Sequence, residues 1–190
     1  MSGEARKNHF LDMAAEIVIE SGVANVTMDA VAARSSVDKR LGYRYFSNRD
    51  DLLEALVHRE LERMAQRVEA ALPSGAPFAE KLAVNTRIWL SMLTAQGPLL
   101  RRLLYDQGPL ETYSGAIRQA AVTNWAATLV AETGLPERDA TTVTRMLLAA
   151  LMGAIEALEA GDSSLDTIVE LYVATVVAII RTAIDRVSVG

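Results

Sequence analysis

Apolar residues recur at helical spacing along most of the chain, and turn formers interrupt them at defined places. Between Glu4 and Glu20, Phe10, Met13, Ala14, Ile17 and Val18 share one face of a predicted helix. Ser21-Gly22 ends it, with Gly22 suited to a left-handed C-terminal position. A short helix is predicted over Met28–Arg34, capped by Thr27, with Met28, Val31 and Ala32 facing inward and small residues (Ala30, Ala32, Ala33) permitting close approach. Ser35-Ser36 makes a turn, and Asp38 caps a third helix, Lys39–Phe46. Ser47-Asn48 breaks the chain again. Either residue can cap a long helix over Arg49–Leu72, with Asp50 or Asp51 as the capping-box acid.

Pro73 to Pro77 is the clearest loop. Beyond it, Gly97-Pro98, Gly108-Pro109, Gly134-Leu135-Pro136 and the run from Gly161 to Ser164 divide five further helices. These are predicted over Phe78–Thr94, Pro98–Asp106, Leu110–Thr133, Pro136–Ala160 and Ser164–Val187. The expected architecture is all-α with about nine helices. A three-helix N-terminal domain (residues 1–47) joins a C-terminal helical bundle (residues 48–190).

The order short helix, turn, short helix, capped long helix is that of a helix-turn-helix, and charge supports it. The chain as a whole carries −5, which alone argues against nucleic acid. Between Arg34 and Arg49, however, five basic residues (Arg34, Lys39, Arg40, Arg44, Arg49) face one acid, Asp38, a local charge of +4. DNA contact is therefore expected on one small face. Lys39, Arg40, Tyr43 and Arg44 can share an outward arc of the third helix, while Phe46 and one of the tyrosines face back. Arginine can grip guanine with a bidentate fork, and tyrosine hydroxyls position a protein on phosphates. The helix starts at Thr27 and near Arg49 offer backbone N–H groups to phosphates as well.

Composition narrows the rest. Half the residues are apolar (51%), so a sizeable core is available, and there is no cysteine, which removes disulfides and thiolate chemistry. The start, MSGEARKNHF, lacks the apolar core of a secretion signal. The longest uncharged apolar runs, Met146–Ile155 and Leu171–Ile180, are about half the ~20 residues that span a bilayer. A soluble cytoplasmic protein with no membrane partner is expected. His9 and His58 lie on different predicted helices, and no HExxH, GxSxG, Walker loop or GxGxxG occurs. An enzyme, a metal site or a bound cofactor is not expected. His58 with Glu62 reads as an ordinary surface pair.

The segment from about residue 9 to 57 resembles the N-terminal domain of the TetR/AcrR family of bacterial transcriptional regulators. The residues that carry the resemblance are Thr27-Met28, Val31-Ala32, Val37-Asp38-Lys39, Tyr43-Arg44-Tyr45-Phe46, Asn48-Arg49 and Leu52-Leu53. Arg40 and Leu41-Gly42 depart from the usual Gly and Thr-Leu, Ser35-Ser36 from Ala-Gly, and Tyr45 from His. By position, the resemblance implies phosphate contacts from Thr27, Lys39, Tyr43, Tyr45 and Arg49. It implies base-reading or groove-lining roles for Arg40, Leu41, Gly42 and Arg44. Gly42 costs its helix ~1 kcal/mol relative to Ala, and the expected reason is flexibility or close approach to DNA.

The last two helices are apolar on more than one side, which calls for burial on two fronts. The second front is read as a partner subunit, since a two-fold operator needs two readers. Ala150, Gly153, Ala154, Ala157, Tyr172, Val176 and Ile180 are the candidate interface, and the resemblance implies a four-helix contact from these two helices. The middle helices carry large side chains at pocket-forming positions: Met64, Val68, Trp89, Met92, Leu93, Leu103, Tyr113, Ile117 and Trp125. Asn85, Gln119, Asn124 and Glu156 are candidate polar groups there. The resemblance implies that a small apolar or amphipathic effector binds in this region. The expected function is a homodimeric, ligand-responsive repressor of a palindromic duplex operator. Effector binding would tilt the fourth helix and move the recognition helices off their ~34 Å spacing. The competing class is a dimeric helical interaction module without DNA binding.

Overall fold

The computed structural model describes residues 2–73, 75–94, 99–105 and 111–188. Its helices are α1 (Gly3–Ser21), α2 (Met28–Ser35), α3 (Lys39–Tyr45), α4 (Arg49–Ala71), α5 (Phe78–Thr94), α6 (Leu99–Tyr105), α7 (Glu111–Thr133), α8 (Glu137–Ala160) and α9 (Leu165–Ser188). A 3-10 turn, Val23–Asn25, lies between α1 and α2. The described helix ends fall within a residue of those read from the sequence; the 3-10 turn was not foreseen. The predicted ends at Pro98, Asp106 and Leu110, and the breaks at 97–98 and 108–109, lie outside the described residues.

The caps do the work the sequence assigns them. Thr27 Oγ1 accepts from the Ala30 N–H at 3.0 Å, and Asp38 Oδ1 from the Arg40 N–H at 2.7 Å. At α4 the cap is Asn48, whose Oδ1 accepts from Asp51 N at 2.9 Å, while Asp51 returns a carboxylate oxygen to the Ser47 N–H at 2.8 Å.

The chain forms two compact units. The first gathers the described residues up to Ala65 with those from Leu99 to Gly115; the second gathers Gln66 to Thr94 with Ala116 to Ser188. This structural division differs from the cut at 47/48. Arg49–Ala65 of α4 belongs with the helix-turn-helix because Leu52, Leu53, Leu56 and Val57 are fully buried there. The same stretch is tied by arginines: Arg49 donates to the carbonyls of Val26 and Val23, and Arg59 to the carbonyl of Asn8 and to Asp12.

In the first unit α1 packs on α2, α3, α6 and the 3-10 turn, around buried Phe10, Val18, Val26, Val31 and Phe46. In the second, α5, α8 and α9 pack on one another around Leu82, Leu129, Val143, Leu147, Tyr172 and Val176. With a few charges tolerated, α8 and α9 are long and apolar enough to cross a bilayer. Here each turns one face to the core of its unit and leaves another outward.

Candidate nucleic-acid interface

The recognition helix is set by its back. Phe46 is 1% exposed, and Gly42 is buried against α1 and α2: a Cβ there would stand 3.1 Å from Phe10 Cε1 and 3.3 Å from Met28 Cε. This corrects the groove-lining role expected of Gly42. The close approach that needs glycine is to Phe10, inside the unit, and not to DNA. Tyr45 is half-buried and folds back toward the start of α1, its hydroxyl 3.8 Å from where a Cβ on Gly3 would stand. Of the two tyrosines, Tyr43 is the outward one, at 47% exposure.

Lys39, Arg40, Tyr43 and Arg44 are all exposed, and Leu41 is half-buried beside them. Their electrostatic states differ. Lys39 Nζ pairs with Asp29 Oδ1 at 2.5 Å and lies 5.7 Å from the centroid of the Tyr43 ring. The hydrogen bond that Lys39 donates to the Asp29 carboxylate pushes the ammonium pKa up. Among the described residues no carboxylate lies within ion-pairing distance of Arg40 or Arg44. Arg34 points away, paired with Glu16 at 2.9 Å and with Glu20, whose carboxyl its hydrogen bond pulls below the usual range.

Arg49 is the second correction. Its Nε donates to the Val26 carbonyl at 2.5 Å and its Nη2 to the Val23 carbonyl at 2.7 Å. The guanidinium therefore fastens the start of α4 to the chain entering α2, which a phosphate role would have to break. Thr27 is exposed, but its hydroxyl is occupied as a cap. Three of the five cations behind the local +4 are thus engaged within the protein. Asp29 went unnoticed in the sequence because ten residues separate it from Lys39, and only the turn at Ser36 brings the two helix starts together.

Residues 10–56 match the profile of the bacterial regulatory proteins, tetR family. That segment, the helix-turn-helix unit just described, is a TetR-family DNA-binding domain. Its fold agrees with a putative transcriptional regulator from Pseudomonas aeruginosa PAO1, at a TM-score of 0.77 and 18% identity over 98% of this chain and 95% of that one. A second solved structure, the SmeT–triclosan complex, has a TM-score of 0.68 at 21% identity, covering 92% of this chain and 90% of the other. An uncharacterized HTH-type transcriptional regulator of Mycobacterium tuberculosis (strain H37Rv) is 27% identical over 154 residues, 78% of this chain and 76% of the relative. The chain is a transcriptional regulator and not an enzyme.

The helical bundle places the remaining candidates. Met64, Leu103 and Tyr113 lie in the first unit; Val68, Trp89, Met92, Leu93, Ile117 and Trp125 lie in the second. Leu93 and Leu103 are fully buried, and the other seven are half-buried. A separate polar cleft of about 350 Å³ in the first unit has Glu4, Glu54, His58 and Arg59 on its walls and takes only Tyr113 from that set. Burial, and then the charge of Glu54, raise the Tyr113 phenol pKa. His58 pairs with Glu62 at 3.4 Å on the exposed face of α4. Of the expected polar groups, Gln119 accepts from Arg145 at 3.2 Å, whereas Asn85 Oδ1 is buried and has no hydrogen-bond partner among the described residues. Thr144 Oγ1 shares that condition.

The dimer candidates divide by face. Tyr172, Val176 and Ile180 are core residues of their own subunit, with the Tyr172 hydroxyl donating to the Leu147 carbonyl at 3.0 Å. They are corrected here: side chains that close one subunit's core are not available to a second. Ala150, Ala154 and Ala157 are half-buried. Gly153 is exposed, and a Cβ on it would meet nothing within 4 Å. The outward stripes are instead Met146, Ala149 and Gly153 on α8 and Leu171, Ala174 and Ala178 on α9.

Proposed function

We propose that the protein is a ligand-responsive repressor that binds a palindromic operator as a homodimer in the cytoplasm. The observation that carries this reading is the outward face of α3, where Arg40 and Arg44 stand exposed and unneutralised beside Tyr43. Arg40, Leu41 and Arg44 are assigned to base edges in the major groove, and Lys39, Tyr43, Tyr45 and the cap at Thr27 to phosphates. Gly42 and Arg49 keep the reader in shape. The DNA-binding domain in the functional sense is residues 1–47, with the rest serving dimerisation and ligand response.

The homodimer is assigned to the outward stripes of α8 and α9, because Met146 and Leu171 are 54% and 62% exposed and small residues flank them. The effector is assigned to the helical bundle. A relative of the same fold is known in complex with triclosan, a small, largely apolar molecule. Here the unpartnered Asn85 Oδ1 and Thr144 Oγ1 favour an effector with a hydroxyl or N–H group, since a buried unpaired polar atom costs ~1–3 kcal/mol.

Selection of genomic DNA fragments by the purified protein at two salt concentrations tests the reading. A recovered palindrome whose affinity falls steeply with salt is the expected result. Absence of binding at either concentration would leave the interaction module in its place.

A further inference from the structure

Helix α1 has no basic residue in its last turn, so its C-terminal carbonyls lack a local cation. The cation that stands there comes from far along the chain. Arg102 of α6 donates through Nη1 to the carbonyls of Val18 at 2.7 Å and Ile19 at 3.0 Å. A guanidinium in this place satisfies end-of-helix carbonyls and opposes the helix dipole together.

α1 in turn holds each element of the reader. Phe10 lies under Gly42 of α3; Glu16 and Glu20 bind Arg34 of α2; Asp12 and the Asn8 carbonyl bind Arg59 of α4. One residue past Arg102, the Leu103 carbonyl accepts from the Ser114 hydroxyl at 3.2 Å, and both residues are almost fully buried. α6 is therefore fastened to α1 on one side and to the start of α7 on the other. α7 then runs on through residues 116–133 of the second unit.

We propose that Arg102 is a positioning residue for DNA reading. By gripping the carbonyls of Val18 and Ile19, α6 sets the pose of α1, and through Phe10 that of the recognition helix. The inference rests on the operator reading above and adds a route to α3 that does not run through α4. Arg102 does not touch DNA in this scheme. Its loss loosens the frame on which Arg40 and Arg44 are presented.

The test compares wild type, Arg102→Met and Arg102→Lys on an operator duplex selected from random DNA by the wild-type protein. Arg102→Met is expected to bind about tenfold more weakly, with the salt slope and the oligomeric state unchanged. Arg102→Lys is expected to recover most of the affinity, because an ammonium donates to the same carbonyls. Wild-type affinity in Arg102→Met overturns the proposal. So does a salt slope smaller by about one phosphate contact, which would make Arg102 a direct DNA contact. Should Arg102→Met fail to fold, Arg102→Gln, neutral but still a donor, decides the question on the same criteria. A wild-type protein that selects no sequence overturns the operator reading, and this inference with it.

Discussion

Gly42 and Phe10 are fitted to each other: a Cβ on the glycine would approach Phe10 Cε1 to 3.1 Å and Cζ to 3.4 Å. Helix propensity favours Ala at this position by ~1 kcal/mol, and the ring opposes it. In the wild-type background Gly42→Ala is expected to cost about 1 kcal/mol, an overpacking effect at the low end of its range. In a Phe10→Leu background the same substitution should become neutral or stabilising. A double-mutant cycle by urea denaturation measures the coupling; additive effects would show that the ring is not what excludes the side chain.

Ser36 carries the only positive φ on a non-glycine residue among those described, φ 54 with ψ 33, and it ends α2 in the left-handed conformation. Its own N–H bonds the Ala33 carbonyl, and the Val37 N–H bonds the Ala32 carbonyl, closing the helix as a glycine would. A side chain in this region costs ~1–2 kcal/mol. Ser36→Gly is expected to raise the thermal midpoint by a few degrees and leave operator choice unchanged. A lower midpoint would mean that the serine side chain compensates its own strain.

These two residues also mark what the sequence could and could not say. Element order, caps and turns were readable because each depends on neighbours within four residues, as with Thr27 and Ala30 or Asn48 and Asp51. Ser36 was visible as a departure from the family's glycine, and Gly42 as a costly residue in a short helix. The reason for Gly42 was not visible, because Phe10 comes from another helix. The anchoring roles of Arg49 and Arg102 leave no sequence signal for the same reason: their partners are carbonyls 23 to 84 residues away, and a carbonyl leaves no mark in a sequence. On α9, apolarity all round hid which stripe is core and which is free. Packing against α5 and α8 assigned Tyr172, Val176 and Ile180 to the inside.

The Lys39–Asp29 pair holds one of the reader's cations against an acid on the face assigned to DNA. Both side chains are well exposed, so the pair adds little stability. Its effect should appear in binding. Asp29→Asn is expected to strengthen binding to any duplex and to steepen the salt dependence by about 0.9 log unit per log unit of salt, one phosphate contact. Arg40→Ala should instead lose about 1–3 kcal/mol on the operator and relax its sequence preference. Fluorescence anisotropy over a salt series separates the two. Equal effects on operator and random DNA in both variants would refute the division of roles.

The face assigned to the dimer can be tested without disturbing the fold. Gly153 is exposed and open to solvent on α8, so a long side chain fits in the isolated subunit. Gly153→Arg is expected to give a folded monomer by sedimentation, with operator binding lost because two readers are no longer linked. A charge at Val176, which is 0% exposed in the core, should unfold the subunit instead. A Gly153→Arg dimer of wild-type affinity would place the interface elsewhere.

Tyr172 supplies the pH dependence. Burial pushes its phenol up to about 12, and its hydroxyl donates to the Leu147 carbonyl at 3.0 Å. An unfolded tyrosine ionises near ~10. The folded state therefore keeps a proton that the unfolded state releases between these values. Stability from this group is complete below pH ~10 and is lost as pH rises toward about 12. Tyr172→Phe removes the hydrogen bond, costing ~1 kcal/mol at neutral pH, and removes the titration with it. The wild-type advantage over Tyr172→Phe in urea should shrink steadily above pH 10. A constant difference between pH 8 and 11 would show that the phenol is not protected in the folded state.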